Sequence, residues 1–428
     1  MSQAIHQALH QKLDQISRIG ATPDGGVHRQ EGTPENGEAR RLLVTWLQDE
    51  GYDVRVDNVG NIFGLMDFAG SDAPLVLTGS HVDSQPHAGR LDGAYGVVAS
   101  YLAANDLRDE VSAGSLEPQA NLGIVAWSNE EGARFQPSTL GSSVYCGHVE
   151  ADWALARADL DGVSFGQVLK QIGFLGADTP PPMPSAFVEL HVECGAELEK
   201  NGQRIGVFDT WWGVRKVDLE LTGEAAHTGP TPMDHRRDAL FAAAMVITGV
   251  RDLVNNHPSG TLHTSVGQID VAPNSPNVVP AHATLRIELR SGQMKLIDEA
   301  HKRLAEIIEG AAKSANVSAN IVRDELRPPG LFSDRLLELA EDASLKLGHP
   351  LRRLETICGH DAVRLAPHCD SVVLAVPSIG GICHAPTEDT RPEDLELGLD
   401  LLTGVLRELL RGTSTRPSQT ARTEKVSI

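Results

Sequence analysis

Two histidines and two aspartates are crowded into the segment GSHVDSQPHAGRLDG, residues 79–93. His81 and Asp83 are two residues apart, so on an extended chain they point to the same side. An imidazole beside a carboxylate suits a metal ligand and its hydrogen-bonding partner, because a metal-bound histidine usually donates its other N–H to a carboxylate or carbonyl. For this pair alone, a solvated polar loop is the alternative.

Asp92 lies in RLDGAYG, directly before a glycine. Gly93 has no side chain, so the backbone can come close to whatever the carboxylate binds. An Asp-Gly pair alone is also typical of a simple turn. His87, between the two aspartates, is predicted to be a loop residue without a chemical role.

Glu130 and Glu131 follow the apolar run LGIVAWS in the segment SNEEGARF. Adjacent carboxylates at a strand end are costly unless a cation neutralises them or one takes up a proton. Neighbouring residues on an extended chain face opposite ways, so one glutamate can bind metal while the other works on a water molecule. A solvated pair of glutamates is the alternative.

Two further histidines accompany apolar runs: His191 in AFVELHVECG and His384 in GGICHAPTED. Each alone could be a histidine packed in a core. Four separate strand ends, however, deliver His, Asp or Glu side chains to what should be one edge of one sheet. Two sets of ligands that share a bridging aspartate would suit two divalent ions roughly 3.5–4 Å apart.

Strand-length apolar runs that alternate with helix-length segments must position these side chains. The runs are LVLTG at 75–79, LGIVAWS at 122–128, AFVELHV at 186–192 and SVVLAV at 371–376, with a helix of small residues from about Ala94. This alternation predicts an α/β fold with a mainly parallel sheet. Ligand-binding groups in such folds lie just beyond the carboxyl ends of the strands.

The chain of 428 residues is too long for one core, since single cores stop growing at roughly 250–300 residues. Residues 213–328 carry the pattern β-α-β-β-α-β of a small independent domain. We therefore predict an α/β domain in two segments, 1–212 and 329–412, with a four-stranded domain inserted at 213–328. Residues 413–428 have the polar composition of a disordered tail.

Composition excludes several classes of partner. Acidic residues outnumber basic ones, 58 against 37, which disfavours nucleic acid as a partner. No run reaches the roughly 18 apolar residues of a membrane span, and the N-terminal segment lacks the pattern of a signal peptide, so we expect a cytoplasmic protein. Five cysteines without a CxxC pair indicate neither a disulfide framework nor a thiolate zinc site.

Short motifs along the chain carry a resemblance to a known family: GSHVDS, GRLDGAYGV, EEGARF, HVE-G, GEAAHTGPTPM with RRDAL, PNVVP, GHDA and HAPTED. Together they resemble the hydantoinase/carbamoylase family of metal-dependent amidases over about residues 10–412. That family includes N-carbamoyl-L-amino-acid hydrolases, allantoate amidohydrolases and β-ureidopropionases. The resemblance implies hydrolysis of a linear amide or ureido C–N bond in a substrate that carries a carboxylate.

The resemblance also implies two divalent metal ions per subunit, with zinc expected first and manganese, cobalt or nickel as alternatives. His81 and His191 would hold one ion, Glu131 and His384 the other, and Asp92 would bridge the two. Which of these metals occupies such a site depends on supply as well as on ligand type, so the sequence does not fix the ion.

Catalysis and substrate binding are implied in the same way. Glu130 would be the general base, and Asp83 would orient His81. The inserted domain would carry the residues that bind the substrate: His227, Asn277 and Arg290. Arginine presents a planar fork that fits a carboxylate; for Arg290 the alternative is a surface ion pair. By the same resemblance this domain, 213–328, is a lid that closes over the site and forms the homodimer. His227 would then reach the active site of the other subunit and act in catalysis by polarising the scissile carbonyl.

Three features concern substrate choice. His360, in GHDA, would lie close to the metal ions. Cys194 stands where most relatives have a glutamine against the substrate, and a thiol is a weaker donor than an amide. Trp211 and Trp212 stand where relatives usually have small or aliphatic residues, and either pack the hinge or reshape the pocket. An N-acyl-amino-acid amidohydrolase or dipeptidase-like activity on a bulkier substrate is therefore the alternative function, and a non-catalytic binding protein is disfavoured because both glutamates are present.

Overall fold

The computed structural model describes residues 3–412 of the chain. Its strands are β1 (Asp53–Val56), β2 (Ile62–Met66), β3 (Leu75–His81), β4 (Asn121–Trp127), β5 (Ala186–Val192), β6 (Gly206–Trp211), β7 (Gly213–Thr222), β8 (Ala226–His227), β9 (His263–Ala272), β10 (Val278–Val279), β11 (His282–Ser291), β12 (Ser318–Arg327), β13 (Gly330–Leu331), β14 (Arg352–Thr356) and β15 (Asp370–Val376). The predicted tail, 413–428, lies outside the described residues.

The α-helices are α1 (Gln3–Ser17), α2 (Pro34–Asp49), α3 (Ala94–Ser112), α4 (Leu140–Tyr145), α5 (Ala151–Leu155), α6 (Phe165–Ile172), α7 (Glu197–Lys200), α8 (Ala239–Asp252), α9 (Met294–Ala315), α10 (Asp334–Lys346), α11 (Asp361–Leu365) and α12 (Pro392–Leu410). Short 3₁₀ turns lie at Met233–His235, Leu253–Asn256 and Ile379–Gly381. Between residues 3 and 412, no helix is both long enough and apolar enough to cross a bilayer.

The chain forms two compact units. The first comprises residues 3–209, 332–354 and 358–412, and the second comprises residues 210–331 and 355–357. In the first unit the strand order is β1-β2-β4-β3-β5-β15-β6. The four central strands, β4, β3, β5 and β15, run parallel, and the outer pairings are antiparallel. The predicted α/β class with a mainly parallel sheet is confirmed.

Burial explains why the central strands are continuous apolar runs. All seven residues of β5 are buried, as expected when both faces of a parallel sheet are covered. Helix α3 packs against β3 and against α12, and its first two turns are buried. The small residues predicted from about Ala94 therefore let this helix lie close to the sheet.

The second unit has an antiparallel sheet in the order β12-β7-β11-β9. Along the chain its elements follow as β7-α8-β9-β11-α9-β12, the predicted β-α-β-β-α-β pattern. Val217, Leu219 and Leu221 alternate along β7 toward a core shared with α8 and α9. A separate two-stranded ribbon pairs β8 with β10, with His227 opposite Val278.

Candidate metal centre

The parallel register of the first unit brings the chemically active side chains to one edge of the sheet. His81 is the last residue of β3 and lies opposite Trp127, the last residue of β4. His191 in β5 lies opposite Ala375 near the end of β15. Because Glu130 follows Trp127 by only three residues, the strand ends alone place these groups together.

One donor set consists of His81, His191 and Asp92. The Nε2 atoms of the two histidines lie 3.4 and 3.1 Å from the same oxygen, Oδ1 of Asp92. All three residues are buried, and their ligand atoms lie within 4.8 Å of one another. Two imidazoles and a carboxylate in this arrangement have the donor chemistry of a divalent-metal site.

A second donor set consists of Asp92, Glu131 and His384. Nε2 of His384 lies 3.2 Å from Oδ2 of Asp92 and 3.4 Å from Oε2 of Glu131. Asp92 therefore presents one oxygen to each set. The imidazole of His384 is 49% exposed, whereas the Asp92 and Glu131 side chains are almost fully buried, so a small molecule can approach from this side.

Hydrogen bonds fix the orientation of the two buried imidazoles. Nδ1 of His81 donates to the backbone oxygen of Asp83 at 2.9 Å, and Nδ1 of His191 donates to the oxygen of Val192 at 2.8 Å. A carbonyl can only accept, so Nδ1 of each ring carries a proton, and Nε2 of each ring is the nitrogen that faces Asp92. The carboxylate of Asp83 lies farther from His81 Nδ1, at 3.5 Å, so the backbone of Asp83 is the closer partner.

The carboxylate of Asp83 instead holds the two glutamates. Its oxygens accept hydrogen bonds from the backbone N–H groups of Glu130 and Glu131, each at 3.2 Å. Glu131 is fixed further because its oxygens accept from the backbone and the side chain of Gln85, at 3.2 and 2.9 Å. Oε2 of Glu130 lies 3.6 Å from Nε2 of His81. The pair thus faces different donor sets, Glu130 toward His81 and Glu131 toward His384.

The buried carboxylates of this cluster favour a bound cation. Burial, together with nearby carboxylates, raises the pKa of Glu131 to about 7 and holds the pKa of Glu130 well above its usual range. Burial would also raise the pKa of Asp92, but the adjacent histidines outweigh it and the pKa is lowered. Acidic groups at this depth stay ionised only beside positive charge. The donors therefore fit divalent ions in both chemistry and charge.

Gly93 makes room for His81. Its φ is +64°, and a Cβ atom there would lie 2.4 Å from Cε1 of the His81 ring. The sequence predicted that this glycine allows a close approach, and the group that approaches is the imidazole itself. The carboxylate of Asp92 and the ring of His81 can meet only because residue 93 has no side chain.

Glu388 is a residue that the sequence analysis did not single out, although it lies in the quoted motif HAPTED. Its Oε1 accepts from the backbone N–H groups of Leu91 and Asp92, at 3.2 and 3.0 Å, and its Oε2 accepts from the N–H of His384 at 3.3 Å. His384 has a positive φ of 56°, a conformation that needs local support. Glu388 thus ties the loop of Asp92 to that of His384.

Glu189 and Asp361 were also missed. Glu189 precedes His191 by two residues, so both lie on one side of β5. Its oxygens accept from Ser80 Oγ at 2.9 Å and from the N–H of Ala362 at 3.0 Å. The predicted site residue His360 is buried, and its ring lies 4.8 Å from that of His191. The period of two in the sequence ELH would have indicated Glu189.

Thiol groups line the same centre. Sγ of Cys194 lies 2.6 Å from Sγ of Cys383, and Cys383 donates to Oδ2 of Asp92 at 3.3 Å. Cys194 also makes a side-chain hydrogen bond with Cys358, and this bond contributes to its raised pKa. Asp92, Cys194 and Cys383 form a further group that could hold a metal ion. The sequence analysis identified only Cys194 here.

The remaining predicted residues belong to the second unit. His227 is exposed and accepts from the N–H of Gly229, and the carbonyl of the neighbouring Asn277 accepts from Thr228. The guanidinium of Arg290 pairs with Glu288 at 2.7 Å and donates to the carbonyl oxygen of Ile357 at 2.7 Å. Arg290 thus makes the ion pair that the sequence left open as its alternative.

The two tryptophans are held within the second unit. Trp211 Nε1 donates to the carbonyl oxygen of Pro328 at 3.0 Å. Trp212 is 7% exposed, donates to Glu355 Oε2 at 2.9 Å and stacks at a tilt against His263, with ring centroids 5.0 Å apart. These contacts of Trp212 are packing contacts within the second unit, as in the first of the two predicted alternatives.

Comparison with known proteins shows which family this chain resembles. Residues 77–408 match the sequence profile of peptidase family M20/M25/M40. The chain is 33% identical over 395 residues to the N-carbamoyl-L-amino-acid amidohydrolase of Rhizobium meliloti, covering 92% of this chain and 94% of the relative. It is 31% identical over 409 residues to the allantoate amidohydrolase of Bacillus subtilis, covering 95% and 98%.

Solved structures give the same relationship. The crystal structure of a hydantoinase/carbamoylase family amidase from Burkholderia vietnamiensis superposes with a TM-score of 0.89 at 33% identity. The match covers 96% of this chain and 99% of that one. The similarity therefore includes both compact units.

Proposed function

Because this chain belongs to peptidase family M20/M25/M40, and within it to the hydantoinase/carbamoylase amidases, we propose that it hydrolyses the ureido bond of an N-carbamoyl-L-amino acid or a related ureido acid. Water cleaves the C–N bond, and the carbamoyl group leaves as ammonia and carbon dioxide while the amino acid is released. The relatives named above act on N-carbamoyl-L-amino acids and on allantoate.

The observation that carries this proposal is the pair of donor sets that meet at Asp92. His81 and His191 face Oδ1, while His384 faces Oδ2 beside Glu131. We assign one divalent ion to each set, zinc first, with manganese, cobalt or nickel as alternatives. When bound, such ions supply Lewis acidity, which lowers the pKa of water and polarises the scissile carbonyl.

Glu130 is assigned as the general base. It is buried beside His81 but is absent from both donor sets, whereas Glu131 belongs to one. Burial raises the pKa of Glu130, which suits a carboxylate that accepts a proton from water and passes it to the leaving nitrogen. The hydrogen bonds from Glu130 and Glu131 to Asp83 hold the base and the ligand in fixed orientations.

Recognition of the substrate is assigned to both units. We assign His360 to the substrate side of the metal centre, and its packing against the metal ligand His191 supports this assignment. In the second unit, His227 and Asn277 adjoin on the β8–β10 ribbon, and Glu288 with the Ile357 carbonyl orients the fork of Arg290. A planar guanidinium suits the substrate's carboxylate. We expect Arg290→Lys to raise KM more than it lowers kcat.

We assign a homodimer to the second unit. Leu240 and Phe241 on α8 are 40% and 52% exposed, and Phe241 lines a groove between α8 and α9 that includes Ile307. Exposed apolar side chains of this size favour association. Light scattering should give a dimer mass for the wild type and a monomer mass for Phe241→Asp.

A release assay tests the proposed reaction. The protein, supplied with Zn²⁺ or Mn²⁺, is incubated with N-carbamoyl and N-acyl derivatives of the same amino acids, and ammonia and free amino acid are measured. Ammonia in step with the amino acid supports the ureido assignment. Free amino acid from acyl substrates alone would replace it with an acylase.

The acylase alternative rests on Cys194. Its thiol contacts Cys383 near Asp92, where most relatives carry the amide of a glutamine. A thiol offers a ureido group fewer hydrogen bonds than an amide does, which favours a less polar substrate. The same assay therefore decides between the two functions.

A further inference from the structure

A second cluster of metal-ligating side chains lies outside the proposed catalytic machinery. It consists of Cys146, His148 and His368, whose ligand atoms lie within 4.8 Å of one another. The two imidazole rings are 4.9 Å apart, and their Nε2 atoms face each other at 3.3 Å. Cys146 is buried, and both histidines are exposed, so an ion can reach the thiol past the imidazoles.

The ends of two short helices build this cluster. Cys146 caps the carboxyl end of α4, and Gly147 then adopts a φ of +71°, a left-handed turn that glycine allows. The turn is closed by a hydrogen bond from the N–H of His148 to Ser143 at 2.9 Å. His368 follows the end of α11 and donates its N–H to the oxygen of Leu365 at 2.8 Å. These backbone hydrogen bonds and the turn at Gly147 thus fix the positions from which the three side chains meet.

The Nε2 atoms of His148 and His368 are at a distance at which one metal ion can replace the proton that they share. Nε2 of His148 lies 3.2 Å from the carbonyl oxygen of Arg364, which can only accept, so the proton of this bond is on His148. His148 shares that proton with the lone pair of His368. Two nitrogens about 2.0–2.1 Å from a tetrahedral zinc ion lie roughly 3.3–3.4 Å apart, which matches the separation of the two Nε2 atoms.

We propose that Cys146, His148 and His368 form an additional metal site that binds a borderline-soft divalent ion such as Zn²⁺ or Co²⁺. The thiolate and imidazole donors favour these ions over hard ions such as Mg²⁺ or Mn²⁺. Three protein ligands leave the fourth position of a tetrahedral ion to water. This set differs from the catalytic centre, in which carboxylates supply several of the donors.

An ion at this site links the carboxyl ends of α4 and α11. The amino ends of the same helices adjoin Glu130 and His360. Before α4, the N–H of Thr139 donates to the carbonyl oxygen of Glu130 at 2.6 Å. Helix α11 begins at Asp361, directly after His360, and Ser142 of α4 donates to Asp361. Arg364 of α11 also donates to Thr139 Oγ1 at 2.8 Å. The bound ion therefore stabilises the hydrogen bonds that hold the segments of Glu130 and His360 in place.

Metal content and cobalt absorption test the site. The full-length protein is loaded with Co²⁺, dialysed and analysed for bound ions. We expect the wild type to hold one more ion per chain than the double variant His148→Ala/His368→Ala, and to show a cobalt–thiolate charge-transfer band that Cys146→Ser abolishes. Zn²⁺ should raise the Tm of wild type more than that of the double variant. Because both histidines are exposed, their removal leaves the core packing intact.

Cys194→Ser is the matched control, since Cys194 is one of the thiols that belong to the catalytic centre instead. It should retain both the additional ion and the band that depends on Cys146. Equal metal content in the wild type and the double variant would overturn the proposal. A thiolate band that disappears in Cys194→Ser and persists in Cys146→Ser would do so as well. The count of additional ions is a difference between variants, so it stands whether or not the ureido hydrolysis is found.

Discussion

His384 approaches Asp92 through Oδ2 at 3.2 Å and leaves Oδ1 of the same carboxylate to the two buried histidines. One carboxylate thus serves two donor sets, so its loss should affect both ions. We expect Asp92→Asn to lose both ions of this centre and ~100-fold in kcat/KM, whereas His384→Ala retains one of the two. Metal analysis after dialysis measures the ions lost relative to the wild type, and an Asp92→Asn protein that loses none would contradict the bridging role.

Gly93→Ala should damage the metal centre through a steric contact. The added Cβ would meet the His81 ring at 2.4 Å in a residue with φ of +64°. Gly114 has a similar φ of +71° but no atom within 4 Å of its added Cβ, so Gly114→Ala isolates the backbone cost of about 1–3 kcal/mol. Thermal unfolding with and without metal should show that metal stabilises Gly93→Ala less than Gly114→Ala. Equal metal stabilisation of the two variants would rule out the steric role.

Glu130→Gln and Glu131→Gln should separate proton transfer from metal binding. Glu130 lies outside the donor sets, so its amide variant should keep its metal and lose ~10²–10⁴-fold in kcat. Glu131 faces His384 at 3.4 Å, so its variant should lose an ion. Steady-state kinetics and metal analysis of both proteins check this. A Glu130→Gln enzyme with full metal and full rate would refute the general-base assignment.

Glu388→Gln should weaken metal binding without removing a ligand. One of the two carboxylate oxygens would become an amide NH₂, which cannot accept from Leu91, Asp92 or His384. We expect a loss of roughly 10–100-fold in metal affinity, typical of groups that orient metal ligands. Asp389→Asn is the control, because that side chain is half exposed and pairs with Arg90. Titration with a competing chelator measures both, and equal affinities would remove Glu388 from its orienting role.

Cys194→Gln should move substrate preference toward N-carbamoyl amino acids. An amide restores about one hydrogen bond to a ureido group, and we expect a shift of about tenfold in the ratio of kcat/KM between carbamoyl and acyl substrates. Trp212→Ala should instead lower stability by about 3–5 kcal/mol and leave that ratio unchanged, because the indole is buried. An unchanged ratio in Cys194→Gln would remove the thiol from substrate selection.

Much of the fold follows from local sequence pattern. The run AFVELHV coincides with β5, and the helix expected from about Ala94 begins there. Such elements are readable because a buried parallel strand is apolar on both faces. The convergence of His81, Asp92, Glu131, His191 and His384 follows from the same logic, since parallel strands bring their carboxyl ends to one edge.

The supporting contacts were harder to predict. Glu388 acts on backbone N–H groups almost 300 residues away along the chain, and no residue pattern marks a carboxylate as an acceptor for a distant loop. Nor does sequence reveal that Asp83 holds the two glutamates with its carboxylate and His81 with its carbonyl. Arg290 and Glu288 are two apart on β11, however, so a period of two would have indicated their ion pair.

Asp92 and the four donors around it, His81, Glu131, His191 and His384, all come from the first compact unit, and residues 210–331 contribute none of them. Substitutions within the second unit can therefore change which substrate is selected while every one of these metal ligands stays in place.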